Sequence, residues 1–308
     1  MATEKLRLKS QRFSPPQMAA DNRPVADIWV KTQLPHLDHS FSYFVPESMS
    51  KNVDLGSLVS VPFQGRTLEG LVINRREGDT STLKPILKLI SPFPILSAEL
   101  VETVKAASQQ WISHPFDIVE SVISPRAISV EKEFIANQAF SSARKVERNP
   151  VLQYLQLPPH QSKGSRIVVV APDSLTVQRL SDTLERSGRS HVVLDSSLNK
   201  SDLYRNYLQI VVGEVNLAIG TRNSVFAPMK SITTMIIVDE QSEHFYDRQH
   251  PGWNVRDVAL LRSRYEGVDL EFLGYAPSAE MANMIERKIV TYRGSKTKVN
   301  VQVYEQQR

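Results

Sequence analysis

Cysteine is absent from the sequence, which excludes disulfides and thiolate metal sites within it. The seven histidines form no pair at a helical ligand spacing such as His-x-x-x-His, so neither zinc nor another resident metal is expected. Apolar runs stay well short of the roughly 18 residues needed to cross a bilayer as a helix, and the N-terminus lacks an apolar signal core. The expectation is a soluble, cytoplasmic protein with no membrane partner. Neither sign of charge dominates: the net charge is +4 and the pI near 9.2, which permits a polyanionic partner without requiring one. The 308 residues suffice for about two domains.

Residues 1–24 carry Lys5, Arg7, Lys9, Arg12 and Arg23 among Ser, Gln and Pro15-Pro16, without apolar periodicity. That is the composition of a disordered basic tail. Short β-type runs follow at Val25–Val30, Phe41–Val45, Ser57–Phe63, Leu68–Ile73 and Ile86–Ile90, punctuated by Gly56, Gly65, Gly70 and prolines. Leu100, Val104, Ala107 and Trp111 then recur at helical spacing until His114-Pro115. Residues 25–126 therefore read as one β-rich domain. Phe41 and Tyr43, two apart on a strand, share a face, and aromatic residues so placed are ordinarily core. Positive charge on this block comes from Lys31, Arg66, Arg75 and Arg76. Arg66, beside Gln64-Gly65, is either a phosphate-contacting hairpin tip or a solvated turn residue.

Residues 127–165 mix charge, Pro150, Pro158-Pro159 and Ser162-Lys163-Gly164 with one apolar patch, Val151 to Leu157, and read as a linker with a helical turn. From residue 166 to 308 strands and helices alternate. Strands are expected at 166–170, 191–194, 217–219, 235–238 and 270–273, and helices at 174–187, 202–212 and 278–288. This is the pattern of a mostly parallel sheet covered on both faces. The fold class is an α+β, β-rich module followed by an α/β half. Asp239-Glu240 stand at the carboxyl end of the strand Met235 to Val238, where open α/β sheets bind ligands. For an isolated acidic pair, a solvated strand end is the ordinary reading.

Several words, in order, resemble one family closely. QLPHLDHSFSYFVPESM, GSLVSVPFQGRTLEGLVINR and WISHPFDIVESVISP come first, then VVVAPDSLTVQRL, VGEVNLAIGTRNSVFAP, IIVDE and RDVALLR. The family is primosomal protein N′, the PriA-type replication restart helicases. The resemblance implies that residues 25–126 capture the 3′ end of the leading strand at a stalled fork. The terminal base would sit in a pocket framed by Phe-Asp-Tyr, here Phe41-Ser42-Tyr43. It also implies that residues 166–308 form a RecA-like half, related to nucleotide-binding motors, with VVVAPDSLTVQRL and Arg222 on the DNA side. The family's acidic box Asp-Glu-Glu-His stands here as Asp239-Glu240-Gln241-Ser242, with His244 two residues on. Its Ser-Ala-Thr-Pro coupling motif stands as Gly274-Tyr275-Ala276-Pro277-Ser278. In such motors the first carboxylate holds the magnesium of bound ATP and the second orients the attacking water.

The departures are as specific as the matches. A serine for the family's acid in the Phe-Asp-Tyr word removes a two-oxygen acceptor for a base edge. A phosphate loop of the form Gly-x-x-x-x-Gly-Lys-Ser/Thr cradles phosphates with backbone amides and one lysine. Where it should stand, the sequence offers only Lys163-Gly164, with no glycine framework before the lysine and no hydroxyl directly after it. The family's winged helix, second RecA-like half and zinc-binding cysteines are not found either. Lys163 and Asp239 are the residues left to touch a nucleotide, and Asp239 and Glu240 read as a remnant site, so ATP and magnesium are not expected to be held firmly. The expected function is a DNA-binding and assembly factor for replication restart without helicase activity. Its partners would be forked DNA with a 3′ end, other primosome or replication proteins, and single-strand-binding protein. The competing readings are an active ATP-dependent 3′ to 5′ DNA helicase, separated by an ATPase assay, and a protein-interaction adaptor without DNA binding, separated by salt-dependent fork affinity.

Overall fold

The first sheet buries most of one interior strand on both faces. In β1 (Val25–Val30), Ala26, Ile28 and Val30 enter an apolar core with Tyr43, Val45, Val59, Val61, Val72 and Ile86, while Asp27 takes the opposite face. β2 (Phe41–Phe44), β3 (Leu58–Phe63), β4 (Arg66–Arg76) and β5 (Lys88–Ser91) complete an antiparallel sheet of order β2-β1-β4-β3-β5. Gln64 and Gly65 join β3 to β4 with φ of 46° and 77°, the left-handed pair of a tight hairpin whose twist matches its strands. Arg75 is buried: its guanidinium donates to the carbonyls of Asn22, Arg23, Ser50 and Val53, tying the loops before β1 and β3 together. It is therefore a structural residue, with no donors left over for a nucleic acid.

This computed structural model describes residues 18–32, 34, 36–137, 150–156 and 166–294. The chain divides into two compact units, Met1–Thr32 with His39–Pro92, and Gln33–Asp38 with Phe93–Arg308. The second unit begins with three helices, α1 (Ala98–Gln110), α2 (Pro115–Val122) and α3 (Ile128–Asn137). α1 is capped by Ser97, and α2 by His114, whose ring accepts from Phe116 N while Pro115 fills the first turn.

Seven parallel strands follow. They are β6 (Leu152–Gln156), β7 (Ile167–Val170), β8 (Val192–Leu194), β9 (Leu217–Gly220), β10 (Thr234–Val238), β11 (Asp269–Gly274) and β12 (Thr291–Arg293). Their order is β12-β6-β11-β10-β7-β9-β8. β7, β9 and β10 read IVVV, LAIG and TMIIV, near-continuous apolar runs that suit strands covered on both faces. The helices are α4 (Ser174–Arg186), α5 (Lys200–Val212), α6 (Val255–Glu266) and α7 (Ala279–Glu286), capped by Asp173, Asn199, Asn254 and Ser278. α5 and α6 end on the left-handed glycines Gly213 and Gly267. The second unit is an α/β layer on a parallel sheet, and the expected linker supplies its strand β6. The basic tail up to residue 17 and the stretches 138–149 and 157–165, with Lys163, lie outside the described residues.

Candidate nucleic-acid interface and remnant nucleotide site

In the first unit, the word Phe41-Ser42-Tyr43 lies on the edge strand β2, so its members alternate between faces. Tyr43 is 4% exposed within the core, its hydroxyl donating to Pro62 O at 3.3 Å, and burial pushes its phenol up to about 12. Phe41 is half-buried and packs on the same core, edge-on to Phe63 at 5.0 Å and tilted against His39 at 4.5 Å. Ser42 faces the other way, donating to Asp27 Oδ1 at 2.7 Å and accepting from Arg76 at 3.2 Å. The three residues thus do not line one pocket. Arg66 is exposed at the β3–β4 hairpin.

Burial opposes the charge on Asp27, yet hydrogen bonds from Arg76, Ser42 and Asn74 hold its carboxyl below the usual range. Asp27 and Asn74 were not signalled by the sequence. A lone acid in an apolar strand was the available clue; the register sets Asn74 opposite it and Arg76 opposite Val25, two residues away.

In the second unit, the carboxyl ends of the strands carry the expected words. Asp239 sits at φ 53°, a left-handed conformation a non-glycine residue rarely takes, and its Oδ1 is buried without a hydrogen-bond partner. Glu240 is engaged on both oxygens: Ser278 N and Oγ donate to them at 2.7 and 3.0 Å, and Arg256 Nη1 stands 3.7 Å away. Ser278 is also the cap of α7, accepting from Met281 N at 3.1 Å. The altered coupling motif therefore still reaches the acidic box, but it occupies the carboxylate that would orient water. Ser242, at the place of the family's histidine, caps a short 3-10 turn, Glu243–Phe245, and His244 is exposed on it.

Magnesium is ordinarily held by one or two carboxylates together with the phosphates of its nucleotide. Asp239 offers one open oxygen, and no three acidic or histidine side chains converge among the described residues. Ten residues, 157–166, separate β6 from β7, although β11 and β10 stand between those strands in the sheet. Among the described residues, Asp239 is the group such a magnesium–nucleotide complex would meet, while Glu240 is already engaged.

A cleft of about 560 Å³ opens at the carboxyl ends of β7, β8 and β9, between Pro172-Asp173-Ser174, Leu194-Asp195-Ser196, Thr221 to Ser224 and Ser121 to Pro125. Asp195 is buried at its base. Burial raises its carboxyl, but bonds from Ser197, Ser174 and Thr221 more than offset this and hold it low. Arg222 borders the cleft, donating to Tyr246 O at 3.1 Å, 3.6 Å from Asp247 and 5.5 Å over the Trp253 ring. Gly220 lies below it without room for a side chain. A Cβ there would meet Ser224 Oγ at 1.8 Å and Leu194 O at 2.4 Å. Gly220→Ala is expected to cost ~1–3 kcal/mol through forced displacement, read as a lowered denaturation midpoint; an unchanged midpoint would show that the turn yields freely.

The chain thus pairs a β-rich antiparallel unit with a parallel α/β unit. Residues 27–124 match the family described as the 3′ DNA-binding domain (3′BD) of PriA. The probable replication restart protein PriA of Mycobacterium tuberculosis is 25% identical over 288 residues, covering 80% of this chain and 43% of that protein. The replication restart protein PriA of Rickettsia conorii is 24% identical over 275 residues, covering 79% and 42%. A solved structure, the C-terminal domain of the DEAD-box protein Dbp5, is a looser likeness, with a TM-score of 0.33 and 16% identity over 47% of this chain and 90% of that one. The chain is thus similar to PriA-type proteins, through residues 27–124 above all, and it spans less than half the length of these two curated relatives.

Proposed function

We propose that this chain is a DNA-binding factor of replication restart, engaging forked DNA with a 3′ end through residues 25–126 and helping to assemble a primosome without driving strand separation. The match of residues 27–124 to a 3′ DNA-binding domain carries the reading. Replication proteins, single-strand-binding protein among them, are the partners such a factor would gather. The absence of motor chemistry is supported by the carboxyl edge of the second unit, where Glu240 is occupied by Ser278 and Arg256. Phosphoryl transfer is almost entirely positioning and charge stabilisation, and the described residues position nothing around a γ-phosphate.

Phosphate release and strand separation on forked DNA test this directly. The expected result is no DNA-stimulated release and no unwinding. Motor-like release that disappears in Asp239→Ala would make the chain an active helicase, for which the unpartnered Asp239 oxygen is the one favourable feature.

A further inference from the structure

At the end of α1, Ser113 N donates to Ser108 O at 2.9 Å and Ile112 N to Gln109 O at 3.4 Å, the paired bonds of a Schellman turn. Such a turn needs one residue in the left-handed region, and here it is Ile112, at φ 49°. Three other helices give that place to glycine: α4, α5 and α6 turn on Gly188, Gly213 and Gly267, at φ 68°, 84° and 70°. α7 turns on the unbranched Lys288 at φ 59°. A side chain branched at Cβ crowds the backbone in this region, so Ile112 is strained where a glycine would not be. Among the described residues it is the one β-branched residue at positive φ.

The fold draws no packing from that strain, because the Ile112 side chain is 90% exposed. The turn beneath it is nevertheless fixed. Ser113 and His114 are buried, the His114 ring accepts from Phe116 N at 3.0 Å, and its Nε2 bonds Leu37 O at 2.8 Å. Ser113 also buries its hydroxyl without a partner, a second local cost. Strain that the surrounding structure enforces and does not use collects at functional sites. A protein-docking surface is a contiguous apolar patch, whereas this is a single point: Gln109 and Gln110 before it are exposed amides, and Trp111 is half-buried. One apolar side chain on a rigid turn suits insertion between stacked bases. Ile112 lies within residues 27–124, the span that matches a DNA-binding family.

We propose that Ile112 is an unstacking wedge, inserted against the last base pair where duplex meets single strand in forked DNA. The assignment rests on the DNA-binding reading of residues 25–126 and adds a residue that acts on the junction rather than on a strand end. An apolar wedge replaces part of the stacking that the opened pair loses. The Gln109 and Gln110 amides, each a donor and an acceptor, can meet the base edges so uncovered.

The test uses the full chain and a fork carrying 2-aminopurine in the junction base pair, whose fluorescence rises on unstacking, with the same label inside the duplex as control. Wild type should brighten the junction label alone. Ile112→Gly should lose the brightening and about tenfold of fork affinity while keeping its affinity for single strand. It should also melt at a higher temperature, because the strain is relieved. Ile112→Leu, apolar but unbranched at Cβ, should keep the brightening. A folded Ile112→Gly that brightens the junction and binds the fork as wild type does would overturn the wedge. So would an Ile112→Gly that keeps the brightening but loses affinity for single-strand-binding protein, which would make the tip a protein contact. A wild type that binds the fork without brightening its junction would overturn the wedge and leave DNA binding intact. One that binds neither fork nor single strand would remove the DNA-binding reading, and the wedge with it.

Discussion

Tyr43→Ala is expected to destabilise the first unit by ~3–5 kcal/mol, the usual cost of deleting a buried aromatic ring. The ring is 4% exposed among Ala26, Ile28, Val45, Val59 and Val61, and one edge strand carries it. A loss of that size is a large part of a domain's stability, so the variant should lose DNA affinity by unfolding. Tyr43→Phe keeps the ring and gives up only the 3.3 Å bond to Pro62 O, costing ~0.5–1.5 kcal/mol. Urea titration of the two variants decides the matter. A folded Tyr43→Ala protein with wild-type stability would contradict the core placement and return the tyrosine to the DNA surface.

Arg262→Ala should be as damaging to the second unit, at ~3–5 kcal/mol. Arg262 is 1% exposed and its side chain makes four bonds: two to the Glu266 carboxylate at 2.7 Å each, and two to Val225 O and Ala227 O at 2.8 and 3.1 Å. Truncation leaves Glu266 buried without its cation and two carbonyls without donors. The double variant Arg262→Met, Glu266→Met should recover part of the loss, since it leaves no uncompensated charge. Thermal unfolding of both variants is the check, and equal destabilisation by the single and double changes would contradict this account of the pair.

This network explains why the words of the sequence travel together. RDVALLR spans two turns of α6: its first arginine reaches Glu240 of IIVDE, and its last holds the VFAP turn after β9. Much of the α/β layer was legible because strands buried on both faces announce themselves as apolar runs, although α6 was not among the expected helices. β6 was not legible, because LQYLQ is short, mixed and flanked by prolines, and only its pairing with β11 makes it a strand. α3 was hidden likewise among charges, one of which, Glu131, is buried against Arg126 and Tyr204. In the candidate interface, the sequence pointed to the residues of one word along β2. The structure groups residues across strands instead, and register of that kind is set by pairing that no single strand encodes.

The measurement closest to the central claim is a titration, at one fixed salt concentration, of forked DNA with a free 3′ leading-strand end against blunt duplex of the same length. The account predicts that the fork binds about tenfold more tightly, or ~1.4 kcal/mol, and that affinity for both falls steeply with added salt. Equal affinity for fork and blunt duplex, or no salt-dependent binding to either, would contradict it.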